Sequence, residues 1–182
     1  NAKDLSIGIV GTGRLGAALV QIAVQSGCRV KLIDVDSAAS ARAVDNVRAT
    51  FTKAAEKGLL PPEVVEAVVA RSQVADNLTD LADCGVVIEA IPDSMEAKRV
   101  LFADLDRLIA PGAALVTSTA AHSVSAIAAA CSSPERVAGM GFHLGGGGGK
   151  LVEVIDGVFS LPELGDRLMD LARRLGREPV RV

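Results

Sequence analysis

The stretch from Leu5 to Asp34 constrains the fold more than any other part of the chain. An apolar run, Leu5-Ser-Ile-Gly-Ile-Val10, leads into Gly11-Thr-Gly-Arg-Leu-Gly16. An Ala-, Leu- and Val-rich segment follows to Gly27, and a second apolar run, Arg29-Val-Lys-Leu-Ile-Asp34, ends in an acid. A GxGxxG pattern alone says little in a chain with 18 glycines. Between a strand and a helix, with a carboxylate at the tip of the next strand, it describes a dinucleotide-binding turn. Gly11 permits the tight turn, Gly13 lets the backbone approach a diphosphate, and Gly16 lets the helix pack close on the strand. Together with Thr12, Arg14 and Leu15 these glycines form the candidate cofactor loop. The unpaired N–H groups at the helix start, and their partial positive charge, would hold the diphosphate. Asp34 would accept hydrogen bonds from both adenosine ribose hydroxyls and repel a 2′-phosphate, so the pattern favours NAD over NADP. The other reading of these residues is a glycine-rich turn in some other α/β protein.

Downstream, strand and helix signals alternate, which means a doubly wound α/β sheet, mostly parallel. Ser37 is a good N-cap for a helix through about Lys57, closed by Gly58. Pro61-Pro62 opens a second helix from Glu63 to about Arg71, so that a helical hairpin is inserted between the second and third strands. Val74-Ala75 reads as a short strand, and Asn77 to Asp80 as a turn into a brief helix. Gly85 to Ile91 is a continuous apolar strand of the kind a parallel sheet buries on both faces. Ser94 caps a helix to about Ile109, with Leu101, Leu105 and Leu108 on one stripe. Ala113 to Thr117 is another buried strand, Ser123 to Cys131 a small-residue helix, and Arg136 to His143 and Lys150 to Ile155 two further strands. Ser160 with Pro162 starts an amphipathic helix that stops at Gly176, and Glu178 to Val182 is a final strand.

Composition excludes several classes. A length of 182 residues suggests one domain with a sizeable core. With no Trp, no Tyr, four Phe and a net charge of −3, the chain has neither stacking platforms nor a basic footprint for nucleic acid. No apolar run reaches the length of a membrane span. Cys28, Cys84 and Cys131 are scattered among apolar neighbours and read as small buried residues of a reducing, cytoplasmic setting. Two histidines without HxH or CxxC spacing argue against zinc. The chain begins at Asn1 without Met, which reads as a piece of something longer or a trimmed chain. Gly145 to Gly149, five consecutive glycines, read either as a mobile loop over the active site or as an engineered linker or substituted stretch.

From Val87 to Asp104 the sequence resembles the signature strand and helix of the L-3-hydroxyacyl-CoA dehydrogenases, which include the 3-hydroxybutyryl-CoA dehydrogenases. Supporting stretches are Asn77-Leu-Thr-Asp-Leu-Ala-Asp83, Pro134-Glu-Arg-Val-Ala-Gly-Met140 and Lys150-Leu-Val-Glu-Val154. The resemblance covers essentially the whole chain and implies a Rossmann-type NAD-binding domain spanning residues 1–182. In the family a helical domain follows, which dimerises and completes the site for an acyl-CoA thioester. The resemblance carries cofactor contacts onto Gly11 to Gly16, Asp34, Asp93 and Lys98. Asp93 stands where the family usually has Glu, and Lys98 reads otherwise as a solvated helix lysine. Glu153 matches the carboxylate that pairs with a catalytic histidine, and a lone acid in an apolar strand also wants a partner.

The departures fall at the chemistry. The family's serine position is Ala120, its histidine aligns on Gly141, and the asparagine of the histidine motif aligns on Leu144. His143 lies two residues beyond Gly141, on the same face of a strand and displaced by about 6.6 Å, and reads either as a dyad with Glu153 or as an ordinary sheet histidine. His122, where the family has an apolar residue, receives no role. Two readings stand: a dehydrogenase domain that oxidises L-3-hydroxyacyl-CoA to 3-oxoacyl-CoA in fatty-acid metabolism, and a dinucleotide-binding module without catalysis. The losses predict that the chain binds NADH but turns over a 3-oxoacyl-CoA slowly or not at all. By the same resemblance, part of the CoA lies near the helical hairpin, where Lys53 and Lys57 are the candidate contacts for its phosphates; the other reading of both is as solvated lysines.

Overall fold

The computed structural model describes residues 5–119, 121–145 and 149–182. Strand β1 (Ser6–Val10) runs into helix α1 (Arg14–Gln25), then β2 (Arg29–Ile33), the hairpin α2 (Ser37–Glu56) and α3 (Val64–Val69), and β3 (Ser72–Val74). After a short 3-10 turn at Leu78–Leu81 come β4 (Val86–Glu89), α4 (Met95–Leu108), β5 (Ala114–Thr117), α5 (Val124–Ala128) and β6 (Val137–Phe142). The chain closes with β7 (Leu151–Asp156), α6 (Pro162–Arg174) and β8 (Glu178–Arg181). The eight strands form one sheet in the order β3-β2-β1-β4-β5-β6-β7-β8. Only the β6–β7 pairing is antiparallel. The chain winds outward from β1 in one direction to β3, then returns to β4 and winds the other way. The crevice between β1 and β4, at their carboxyl ends, is therefore the switch point where an α/β sheet receives a ligand.

The apolar strands are continuous because both of their faces are covered. Val86 and Ile88 enter one core with α1, the helical hairpin and α6, while Val87 enters the other with Phe102, Leu105 and Ile109. Ala114 and Val116 divide from Leu115 in the same way, as period two requires. Gly139 is needed here for its lack of a side chain, since a Cβ would stand 2.8 Å from Val124 Cγ2 where α5 crosses β6.

Several boundaries differ from the sequence expectation. The cap of α2 is Asp36, whose carboxylate accepts from the Ala38 N–H at 3.0 Å, and Ser37 is the first helical residue. Pairing with β2 draws β3 back to Ser72–Val74. The buried stripe of α4 is Lys98, Phe102 and Leu105, whereas Leu108 is exposed. Ser160 does not cap α6: its hydroxyl donates to the Val137 carbonyl and accepts from the Gly157 N–H, and Leu161 takes the cap position. Helix α5 is shorter than the Ser123–Cys131 segment, although Ser123 caps it as expected. Cys28 and Cys84 are buried and Cys131 is half-buried. Burial pushes the Cys131 thiol up to about 11, with Asp106 adding to the shift, so it stays protonated. No helix among the described residues is long and apolar enough to cross a membrane.

Candidate active site

The glycine loop is built for a close ligand. Gly11 has φ +94°, and a Cβ there would stand 2.6 Å from the Ala90 carbonyl oxygen. At Gly16 a Cβ would lie 1.8 Å from the Gly11 oxygen, so helix and loop touch backbone to backbone. Nothing lies within 4 Å of a Cβ at Gly13, which faces open space. Gly13 is also the N-cap of α1, with no side-chain cap and no acid in the first turn. The first-turn N–H groups of this helix thus have no competing carboxylate, and a diphosphate fits them.

Asp34 sits where β2 ends. Its Oδ2 accepts from the Thr12 N–H at 2.6 Å and from the Thr12 hydroxyl at 3.1 Å, and its Oδ1 accepts from the Asp36 N–H at 3.0 Å. Partial burial would raise its pKa, but these hydrogen bonds outweigh that and hold the carboxyl below its usual range. These contacts fix the carboxylate at the tip of β2 as an acceptor-only group facing the crevice. A cavity of ≈ 1200 Å³ opens beside it, lined by Gly11, Gly13, Arg14, Asp34, Val35 and Ile91 among others. Leu15 is partly buried against the core behind the loop. These residues lie together at the carboxyl ends of β1 and β2.

The second part of the site lies across the switch point, and sequence reasoning found only two of its members. Lys98 is not a solvated lysine: it is 1% exposed, and its Nζ donates to Glu89 Oε1 at 2.6 Å. Glu89 is fully buried, accepts from the Thr117 hydroxyl at 2.7 Å through Oε2, and accepts from the Ile91 N–H at 2.8 Å through Oε1. Asp93 lies 3.7 Å from Lys98 Nζ and accepts from the Thr119 hydroxyl at 2.8 Å. His122, given no role from the sequence, places Nε2 3.3 Å from the Asp93 carbonyl oxygen and 3.5 Å from Asp93 Oδ1. The signal for Glu89 was present in the sequence. It is an acid inside an apolar strand, the same anomaly that marked Glu153.

The third part is at β6 and β7. Antiparallel register sets Gly141 directly opposite Glu153. A Cβ at Gly141 would stand 3.1 Å from Glu153 Oε2, and the same oxygen lies 3.2 Å from His143 Nε2. The carboxylate is thus within reach of both strand positions, and the side chains close the displacement that backbone geometry leaves. Leu144 is partly buried against the core, so this position packs and offers no polar group. Ala120 and residues 146–148 of the glycine run lie outside the described residues. Neither His143 nor Glu153 lines the large cavity. His143 follows β6, two strands from β4, and Glu153 lies on β7, three strands from it, about 10 and about 14 Å along the sheet edge, so this pair is set apart from the large cavity. No cluster of three or more metal-binding side chains occurs among the described residues.

Comparison with known proteins agrees with this architecture. Residues 6–182 match the family model described as 3-hydroxyacyl-CoA dehydrogenase, NAD binding domain. The chain is 34% identical over 176 residues to the 3-hydroxyadipyl-CoA dehydrogenase of Escherichia coli K12, covering 97% of this chain and 37% of that protein. It is 32% identical over 174 residues to a probable 3-hydroxybutyryl-CoA dehydrogenase of Bacillus subtilis, covering 96% and 61%. The crystal structure of 3-hydroxybutyryl-CoA dehydrogenase from Escherichia coli K12 superposes with a TM-score of 0.91 at 34% identity, covering 97% of this chain and 38% of that one. The chain therefore spans less than two thirds of the length of these relatives.

Proposed function

The chain belongs to the 3-hydroxyacyl-CoA dehydrogenase family, as its NAD-binding domain, and from that premise we propose that it serves the oxidation of a 3-hydroxyacyl-CoA thioester with His143 and Glu153 as the acid–base pair. The observation that carries this reading is the 3.2 Å approach of His143 Nε2 to Glu153 Oε2, beside the bare backbone of Gly141. Glu153 Oε2 faces the Nε2 side of the imidazole, which leaves Nδ1 as the proton acceptor when Nε2 carries the hydrogen. His143 takes the proton of the 3-hydroxyl, and Glu153 stabilises the imidazolium that results. Bound NAD supplies the hydride acceptor. The glycine loop and Asp34 fix the adenosine end, and Asp93 and Lys98 stand where the nicotinamide half must pass if one dinucleotide crosses the switch point. Lys53 and Lys57 are both exposed on the hairpin and remain the candidates for CoA phosphates. A helical domain completing the thioester pocket and a dimer interface belong to the same reading.

Loss of NADH absorbance with acetoacetyl-CoA tests the proposal. Turnover slower than that of ordinary relatives is expected, falling by a further 10²–10⁴-fold, approximately the contribution of a positioned acid–base group, in His143→Ala. Glu153→Gln should depress the rate and leave NADH binding intact. A second reading, a dinucleotide module without catalysis, is favoured by Gly141 and Leu144. NADH binding with no turnover, indifferent to His143→Ala, would establish it.

A further inference from the structure

His122 stands outside the roles given so far, yet it is the outermost member of a connected polar chain. Thr117 donates to Glu89, Lys98 bridges Glu89 toward Asp93, and Asp93 receives both Thr119 and His122. Two carboxylates and one ammonium leave this group with one net negative charge while His122 is neutral, and with none when His122 carries a proton. We infer that His122 is a positioning residue that closes this charge balance beside the nicotinamide, so that its protonation shifts cofactor preference from NAD⁺ toward NADH.

Asp34 and the glycine loop hold one end of the dinucleotide at β2 and β1, so its nicotinamide lies over the ends of β4 and β5, where Asp93, Thr119 and His122 meet. Oxidised nicotinamide carries a positive charge and the reduced ring carries none. A site with net charge −1 therefore favours NAD⁺, and a neutral site loses that preference. Glu89 and Lys98 are sealed from water, so their charges are poorly screened and the balance must be made at the open end. His122 is the open end, with its side chain 26% exposed and Asp93 47% exposed. The charged groups that face it are Asp93 directly, and Lys98 and Glu89 behind Asp93. Thr117 and Thr119 of the β5 exit are uncharged, and α5, which follows His122, contains no ionisable residue. The Asp93 carbonyl can only accept, so it holds Nε2–H, and protonation at Nδ1 leaves that contact unchanged. The ring can therefore gain or lose charge without moving.

The inference rests on the NAD(H) reading of the crevice, and the test separates the two. Dissociation constants of NAD⁺ and NADH are measured by calorimetry on the chain from about pH 5 to about pH 8. The ratio Kd(NAD⁺)/Kd(NADH) should rise roughly three- to tenfold from the alkaline to the acid side, the size of effect one partly exposed charge exerts on another nearby. His122→Gln, which keeps an N–H donor for Asp93 but cannot titrate, should hold the ratio at its alkaline value throughout. A second readout needs no variant: the chain has only two histidines, and NMR titration of ¹⁵N-labelled imidazoles should show the His122 midpoint falling with NAD⁺ and unmoved by NADH. A flat ratio with both cofactors bound, or a dependence that survives His122→Gln, would overturn the inference and leave the cofactor site standing. Failure of both cofactors to bind would overturn the site and the inference together.

Discussion

The two ends of the crevice are built by different means. At the glycine-loop end the parts are backbone: the first-turn N–H groups of α1, the positive φ of Gly11, and the contact of Gly16 with the Gly11 oxygen. They come from one continuous stretch, and Asp34 is added by the very next strand. At the other end the working parts are side chains, brought together from β4, α4, the β5 exit and the β6–β7 pair. The first end depends on the absence of side chains and is indifferent to most of those present. The second depends on charge, and a single uncompensated group there is expensive because Glu89 and Lys98 are out of water.

That contrast can be broken experimentally, beginning with the largest expected effect. Glu89→Leu strands the Lys98 ammonium in the core and should lower unfolding free energy by about 3–5 kcal/mol, whereas Glu89→Leu with Lys98→Met should recover most of the loss. Urea unfolding of the two variants decides it, and a single variant within about 1 kcal/mol of wild type would contradict the buried pair. Gly16→Ala comes next. Its Cβ falls 1.8 Å from a backbone oxygen, so loop and helix must part, at a cost of about 1–3 kcal/mol and with NADH binding weakened in calorimetry. Arg14→Ala should leave the fold unchanged, because this side chain is exposed.

Asp34→Asn should narrow the preference for NAD(H) over NADP(H) by about tenfold, some 1.4 kcal/mol, with the fold unchanged. Equal affinities for the two cofactors in the unsubstituted chain would remove the role given to Asp34. The smallest effect concerns acid stability. Because Asp34 is held below its usual range in the folded chain, its contribution is fully present above the unfolded value near about 3.9. It is lost as pH falls through the lower folded value. Asp34→Asn should therefore flatten a small part of the acid limb of a stability–pH curve, and an unchanged limb would show that the Thr12 and Asp36 hydrogen bonds do not persist in solution.

The difference between the ends also explains what could be read from the residues alone. The glycine loop, Asp34 and the alternation of strands and helices were legible because each depends on local order and period. The strand ends were less so: β3 takes its position from pairing with β2, and nothing in Ser72-Gln-Val74 announces it. Lys98 was read from the family resemblance as a cofactor contact, and from its helix as a solvated lysine, because its burial depends on Glu89, nine positions away on another element. His122 was passed over for the same reason, since its partner is on the neighbouring strand's exit and no spacing rule connects them. The pairing of His143 with Glu153 came from the family resemblance, with period-two geometry placing His143 on the face of Gly141, but the closing distance depended on side-chain torsions, which periodicity does not supply.

The Ile91 N–H donates to Glu89, and the Ala90–Ile91 peptide is the surface against which Gly11 lies. The six-residue fingerprint therefore rests on a floor supplied by a strand that arrives some seventy positions later, and that floor is itself fastened by the buried Glu89–Lys98 pair. For protein engineering, this makes the motif a poor cassette. A graft of residues 5–34 onto another sheet would carry the loop without its floor, whereas moving it together with residues 85–98 would transfer both as one transplantable unit.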